Sequence, residues 1–169
     1  GDVLKMRNGK TIEVMNTDAE GRLIMADALA YASESSPDII CDVATLTGAA
    51  YVALGVEIGA VFSNSHSKLE NFLISNSNCF ENYHSLPLEQ SYKSLIKSSI
   101  ADMKNSGGRF GGAITAALLL EEFVDGIDWV HLDIAGPGRS RSNTSIYPEG
   151  GTGFGVVGYF NFIKKEAGN

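Results

Sequence analysis

Residues 11–32 read TIEVMNTDAEGRLIMADALAYA, and this stretch indicates both the fold and the chemistry of the chain. Polar and apolar side chains alternate over residues 11–15, and several of these side chains are β-branched, which predicts a strand. Residues 23–32 are rich in Leu, Ile, Met and Ala, which predicts a helix. The polar segment between them holds two carboxylates, Asp18 and Glu20, only two positions apart. The stretch therefore predicts a strand-to-helix connection that presents charged side chains.

Two interpretations of this connection stay open from the residues alone. In an extended chain, side chains at i and i+2 leave the same face, so Asp18 and Glu20 would converge on one cation. Oxygen donors suit Mn²⁺, Mg²⁺ or Zn²⁺, and Arg22 would add a cation that steadies a nearby anion. Alternatively, Thr17 and Glu20 match the capping box of an ordinary helix start, which needs no metal.

Further motifs accompany this segment along the chain. In order they are GDV at residues 1–3, RNGKTIEV at 7–14, NTDAEGRL at 16–23, DVATLTGA at 42–49, ADMKN at 101–105, GGAITAA at 111–117, HLDIAG at 131–136 and TGFGV at 152–156. Their residues and their order resemble those of the leucyl aminopeptidase (cytosol aminopeptidase) family. The segment at 16–23 matches the hallmark segment of that family residue for residue, and the resemblance covers nearly the whole chain.

The resemblance implies a metal site and a substrate site. By position, Asp18 and Glu20 would be ligands of two adjacent divalent ions, Mn²⁺ or Zn²⁺. Arg22 would be the catalytic residue that holds a bicarbonate ion. The residues implied for the substrate site are Thr45, Leu46, Gly48 and Ala135. From the residues alone, the TLTG segment is equally an ordinary turn between a buried strand and a helix.

The same resemblance implies a function for the protein that contains this chain. It would be a two-metal aminopeptidase that releases N-terminal residues such as leucine from peptides, assembled as a homo-hexamer. The family's remaining ligands, a lysine and two aspartates, and a second catalytic lysine lie upstream of the segment that resembles Gly1. We therefore expect residues 1–169 to be the C-terminal portion of the catalytic domain, without its upstream half and N-terminal domain, and inactive alone. The alternative is a non-catalytic assembly or interaction domain that retains the fold.

Composition sets further limits on function. The chain has 169 residues, of which 44% are hydrophobic and 20% charged, which suits a globular domain with a real core. The net charge of −7 argues against a nucleic-acid-binding surface. No run approaches the ~18 apolar residues of a membrane span and no signal peptide opens the chain, so we expect a cytoplasmic setting. Cys41 and Cys79 are expected as reduced, buried thiols, although spacing alone leaves a disulfide open.

The remaining periodicity predicts an α/β fold. Strands are predicted at residues 39–43, 59–63 and 129–134, helices at 66–75, 113–123 and 155–165, and a loop at 76–92. Because strands alternate with helices, the sequence predicts a layered fold with a largely parallel central sheet flanked by helices.

Other motifs favour structural roles. Residues 153–158 match G-x-G-x-x-G, but neither a preceding strand nor a downstream acidic residue supports a nucleotide site. The glycines of residues 107–112 could cradle an anion, and we favour a turn that lets the next helix pack closely. Among the histidines, His131 is expected in the core and His66 and His84 at the surface, so histidine-based metal binding is not expected.

Overall fold

The computed structural model describes residues 1–168 as two compact units. The first unit contains Gly1–Ile40 and Pro87–Trp129, and the second contains Cys41–Leu86 and the residues from Val130 onward. The strands are β1 (Val3–Lys5), β2 (Thr11–Glu13), β3 (Ile40–Ala44), β4 (Ile58–Ser63), β5 (Asn82–Ser85), β6 (Met103–Lys104), β7 (Trp129–Asp133), β8 (Arg139–Ser140) and β9 (Gly150–Gly151). The α-helices are α1 (Gly21–Ser33), α2 (Gly48–Leu54), α3 (His66–Ser75), α4 (Gly112–Glu121) and α5 (Val156–Glu166).

The first unit combines a small sheet with two packed helices. Strand β2 pairs with β1 in antiparallel and with β6 in parallel orientation. Helix α4 has the sequence GAITAALLLE and buries most of its residues, and it packs against α1. The hydroxyl of Ser33, at the end of α1, donates to the carbonyl oxygen of Phe123 at 3.1 Å. This unit therefore carries the predicted strand-to-helix connection on a small sheet and a buried helix.

The glycines before α4 have a conformational role. Gly111 adopts φ +62°, which most side chains avoid, immediately before the helix begins. A Cβ atom at Gly107 would approach the side chain of Thr115 to 3.0 Å. The close approach of this turn to α4 agrees with the packing role that the sequence favoured.

The second unit is built on a four-stranded sheet in the order β3–β7–β4–β5. Strand β4 pairs in parallel with β5 and in antiparallel with β7. Hydrogen bonds from Ile40 N to Asp128 O and from Ile134 N to Ala44 O, both 2.8 Å, advance in the same direction along β3 and β7, as parallel strands require. Helix α3 packs against both helix α5 and strand β4, so helices cover this sheet as an α/β fold requires. The predicted α/β fold is therefore confirmed.

An aromatic cluster fills the core between α3 and α5. Phe72 and Phe162 are fully buried, and their rings meet edge to face with centroids 5.6 Å apart. Tyr83 of β5 also meets Phe72 edge to face, at 4.9 Å. Such contacts add stability beyond the burial of area alone.

The predicted loop at residues 76–92 is wrong in part. It contains β5, and its end enters a 3₁₀ helix at Gln90–Ile96. Strand β5 has the polar sequence NYHS and lies at the edge of the sheet, where Asn82 and His84 are exposed. Only Tyr83 turns towards the aromatic cluster, so the strand lacks the apolar alternation that predicts one.

The other predicted elements are found within about two residues of their expected limits, and helix α3 matches residues 66–75. His131 is fully buried, whereas His66 and His84 are exposed, as expected. Cys41 and Cys79 are free thiols and are half-buried rather than buried. Burial raises the pKa of the Cys41 thiol to about 12. Within residues 1–168, no helix combines the length and apolar character that a membrane span requires.

Candidate functional site

The carboxylate segment of the first unit is a short 3₁₀ helix rather than an extended chain. This helix covers Thr17–Ala19, and the side chain of Asn16 caps it by accepting from Asp18 N at 3.0 Å. A 3₁₀ helix has three residues per turn, so side chains at i and i+2 point about 120° apart. The expectation that Asp18 and Glu20 share a face because the chain is extended is therefore wrong.

The capping-box interpretation is also wrong. Glu20 occupies the N-cap position of α1 with φ −71° and ψ −33°, and it makes no side-chain cap bond. The cap comes from Asn16 and serves the 3₁₀ helix, not α1. The carboxylates of Asp18 and Glu20 are thus not used to start a helix.

Both carboxylates are exposed and available to a cation. Within residues 1–168, neither the Asp18 nor the Glu20 carboxylate takes part in a hydrogen bond or an ion pair. Ala19 between them is buried at 8% relative exposure and fixes the middle of the segment in the unit. In the same part of the chain, no group of three or more His, Cys, Asp or Glu side chains could hold a metal ion. The two exposed carboxylates therefore offer oxygen donors of the kind that divalent ions bind, but fewer than the ~4–6 donors that one ion takes.

Arg22 lies on the first turn of α1 and is half-buried. Its Nη1 donates to the carbonyl oxygen of Asn105 at 2.8 Å. Because this bond fixes one side of the guanidinium, the charge of Arg22 has a defined position, two residues after Glu20 in the sequence. The first unit thus brings Asp18, Glu20 and Arg22 together on one continuous segment.

The predicted substrate residues all belong to the second unit, where they follow two neighbouring parallel strands. Thr45, Leu46 and Gly48 come after β3, and Ala135 comes after β7. Thr45 and Gly48 are exposed, whereas Leu46 and Ala135 are half-buried. Because β3 and β7 are parallel neighbours, their carboxyl ends meet at one edge of the sheet, where α/β folds place ligand-binding loops.

The buried carboxylate of Asp133 joins these two loops. Its Oδ1 accepts from the backbone N–H groups of Leu46 at 3.0 Å, Thr47 at 3.3 Å and Ala135 at 3.1 Å. Its Oδ2 accepts from the hydroxyl of Thr47 at 2.6 Å. Asp133 is only 2% exposed, and the same Thr47 hydroxyl caps α2 by accepting from Ala50 N at 3.0 Å. One oxygen atom therefore holds Leu46 and Ala135 side by side.

A cavity of about 410 Å³ opens beside Ala135 within the second unit. Its wall includes Gly136 and the charged residues Arg139, Arg141 and Glu149. Of the four predicted substrate residues, Ala135 alone is among its lining residues. The cavity is therefore next to one of the two loops rather than formed by both.

The sequence did not single out Asn105 or Asp133. Both residues lie inside quoted motifs. The groups that the side chain and carbonyl oxygen of Asn105 bind are 83 to 90 residues away in sequence. The groups of the loop after β3 that Asp133 binds are 86 to 87 residues away. The one available signal is a polar residue at the end of an apolar strand, as in the VHLD segment that ends β7. His131 of the same strand is paired with Asp42 at 2.5 Å.

Comparison with known proteins identifies the family. The family model described as "Cytosol aminopeptidase family, catalytic domain" matches residues 1–159. The chain belongs to the cytosol aminopeptidase family. A protein of Prochlorococcus marinus subsp. pastoris described as a "probable cytosol aminopeptidase" is 52% identical over 167 residues, covering 98% of this chain and 34% of that protein. One from Aquifex aeolicus with the same description is 50% identical over 170 residues, again covering 34% of its length.

Solved structures of the same fold agree with this assignment. A mutant of tomato leucine aminopeptidase is 43% identical with a TM-score of 0.92, covering 98% of this chain and 32% of that one. The bottromycin maturation enzyme BotP in complex with Mn is 38% identical with a TM-score of 0.93, covering 99% of this chain and 38% of that one. The chain thus spans about a third of the length of the family members it matches.

Proposed function

We propose that this chain is the C-terminal portion of the catalytic domain of a metal-dependent aminopeptidase, which releases N-terminal residues such as leucine from peptides. The observation that carries the proposal is the pair of exposed carboxylates, Asp18 and Glu20, without a partner among residues 1–168. Carboxylate oxygens suit divalent ions such as Mn²⁺, and the segment lies within the residues that the cytosol aminopeptidase family model matches.

In this proposal Asp18 and Glu20 are ligands of a site for two divalent ions, Mn²⁺ or Zn²⁺. Such ions, when bound, polarise a scissile carbonyl and activate a water molecule. The Mn complex of the related BotP supports the choice of a divalent ion. Each ion requires about four to six donors, so the upstream part of the protein would contribute the rest.

Arg22 has the role of an anion holder. Its planar guanidinium suits a small oxyanion such as bicarbonate, because it offers parallel N–H donors in a fixed geometry. The bond from its Nη1 to Asn105 O restricts the orientation of the guanidinium. In the proposed enzyme, the anion held there would accept and pass on a proton of the attacking water.

The second unit would bind the peptide. Leu46 and Ala135 lie side by side through Asp133, and exposed Thr45 and Gly48 flank them. Backbone groups at the carboxyl ends of parallel strands bind ligands in many α/β proteins. We assign Thr45, Leu46, Gly48 and Ala135 to the substrate site on this basis and on the family resemblance.

The assembly and location of the intact protein are also proposals. Family membership favours a cytoplasmic homo-hexamer that acts on peptides. The alternative is a non-catalytic assembly or interaction domain that retains the fold. A count of bound ions in the intact protein separates the two, because an enzyme of this kind binds two ions per chain and an assembly domain need bind none.

The test uses the intact protein that contains this chain. Asp18→Asn and Glu20→Gln each replace a charged ligand by a neutral amide, so we expect metal content and turnover of leucine p-nitroanilide to fall together. Asp38→Asn and Glu70→Gln are matched controls, because both residues are exposed carboxylates outside the motif. The 169-residue chain alone should show no activity, even with added Mn²⁺ or Zn²⁺.

Two results would contradict the proposal. One is near-normal turnover in Asp18→Asn or Glu20→Gln while the controls also stay active. The other is leucine release by the 169-residue chain that Glu20→Gln abolishes, since the active site would then be built without upstream ligands.

A further inference from the structure

Asn105 is a fully buried residue whose backbone is part of the small sheet of the first unit. Its relative exposure is 0%, and it follows β6 directly. Its backbone N–H donates to Glu13 O at 3.0 Å, which continues the parallel pairing of β2 and β6. The position of its side chain is therefore set by the sheet.

The side chain of Asn105 binds the backbone on both sides of Asp18. Its Oδ1 accepts from Met15 N at 2.8 Å and Asn16 N at 3.1 Å. Its Nδ2 donates to Asn16 O at 2.7 Å and Ala19 O at 3.4 Å. These four bonds use both acceptor positions and both donors of the amide. A reversed amide would place donors against donors, so the orientation is fixed by its partners.

The main chain of Asn105 reaches the third residue of the proposed site, because its carbonyl oxygen accepts from Arg22 Nη1 at 2.8 Å. Resting on the proposed function, we infer that Asn105 is a positioning residue that holds Asp18 and Glu20 in place for a divalent cation. The two carboxylates make no contact that orients them, so their geometry depends on the backbone that carries them. Residues that orient metal ligands in this way contribute strongly to affinity.

The experiment measures Mn²⁺ binding to the intact protein that contains this chain, with Mn²⁺ alone as the probe, by the loss of the free-ion electron paramagnetic resonance signal. Asn105→Ala removes all four side-chain bonds and should weaken binding about 10- to 100-fold. The matched control is Asn76→Ala in the second unit. Asn76 is also a buried amide, with Nδ2 donating to Phe72 O at 2.9 Å and to Gly158 O at 3.1 Å. The control should lose stability without losing Mn²⁺ affinity.

A second variant separates positioning from charge. Asn105→Asp keeps an acceptor for Met15 N and Asn16 N, but its other oxygen faces the carbonyl oxygens of Asn16 and Ala19. Positioning predicts weaker Mn²⁺ binding despite the added negative charge, whereas a purely electrostatic role predicts tighter binding. Amide hydrogen exchange at Met15 and Asn16 should accelerate in Asn105→Ala and stay slower in Asn105→Asp.

The outcomes distinguish the inference from the function on which it rests. If Asp18→Asn abolishes Mn²⁺ binding while folded Asn105→Ala binds as tightly as the original protein, the inference is overturned and the function stands. If Asp18→Asn leaves Mn²⁺ binding unchanged, the proposed metal site is wrong. Unchanged hydrogen exchange at Met15 and Asn16 in Asn105→Ala would overturn the positioning role as well. Should Asn105→Ala fail to fold, tighter or equal binding by Asn105→Asp overturns the inference.

Discussion

Each unit of the protein holds its proposed functional segment with one buried polar side chain, but the two side chains differ chemically. Asn105 in the first unit faces two backbone N–H groups and two carbonyl oxygens, whereas Asp133 in the second unit faces only donors. An amide satisfies a mixed set of partners, and a carboxylate satisfies a set of donors. The neutral amide also avoids adding a third negative charge beside Asp18 and Glu20.

The two units also differ in how far water reaches the groups that these side chains bind. Thr47, held by Asp133, is 6% exposed, whereas Met15, held by Asn105, is 58% exposed. In Asn105→Ala, water can reach the freed N–H groups of the exposed residues Met15 and Asn16, whereas the Thr47 groups freed in Asp133→Ala stay buried and unsatisfied. We therefore expect Asp133 to contribute more to the stability of its unit than Asn105, whose role is more local.

The largest expected effect concerns turnover and belongs to the first unit. Arg22→Lys keeps the positive charge but loses the planar fork, so turnover by the intact protein should fall about 10²- to 10³-fold. Metal content and the free energy of unfolding should change little. Leucine p-nitroanilide kinetics and metal analysis check this expectation, and a loss of metal in proportion to activity would show that Arg22 supports the ligands instead.

Replacing the two buried side chains by alanine tests the comparison directly. Asp133→Ala leaves three N–H groups and a hydroxyl without their acceptor and should lower the free energy of unfolding by about 3–4 kcal/mol. Asn105→Ala should cost about 2 kcal/mol, because water reaches part of the freed backbone. Urea unfolding, followed by circular dichroism, measures both. A larger loss of unfolding free energy in Asn105→Ala than in Asp133→Ala would contradict this expectation.

The smallest expected effect concerns the hydroxyl of Thr47, which donates to Asp133 and caps α2. Thr47→Val keeps the shape but loses both bonds, so it should cost about 1.5 kcal/mol of unfolding free energy. Thr47→Ser keeps both bonds and loses only a buried methyl group, at about 0.8 kcal/mol. Equal losses in the two variants, measured by the same urea unfolding, would mean that packing rather than hydrogen bonding fixes the loop.

The strongly periodic elements were predictable from sequence, whereas local turns and long-range polar contacts were not. Helix α3 and the apolar strand β7 lie in segments whose local sequence already indicates a helix and a buried strand. Edge strand β5 is polar and gives no such pattern. The 3₁₀ helix at Thr17–Ala19 was hidden because Asn16, not Thr17, is its cap.

The candidate site shows the same division. The hallmark segment names Asp18, Glu20 and Arg22, and the family resemblance gives them roles that spacing alone left open. The roles of Asn105 and Asp133 depend on hydrogen bonds between residues about 83 to 90 positions apart. Such contacts leave no local signal, because either residue type is common in ordinary turns.

The metal site is tested most directly by a Mn²⁺ titration of the 169-residue chain and of a variant that combines Asp18→Asn with Glu20→Gln. We expect weak binding to the original chain and none to the double variant, while a second double variant, Asp38→Asn with Glu70→Gln, should bind as the original does. Equal binding by the original chain and the Asp18→Asn, Glu20→Gln variant would contradict the assignment of the metal site to the carboxylate segment of the first unit.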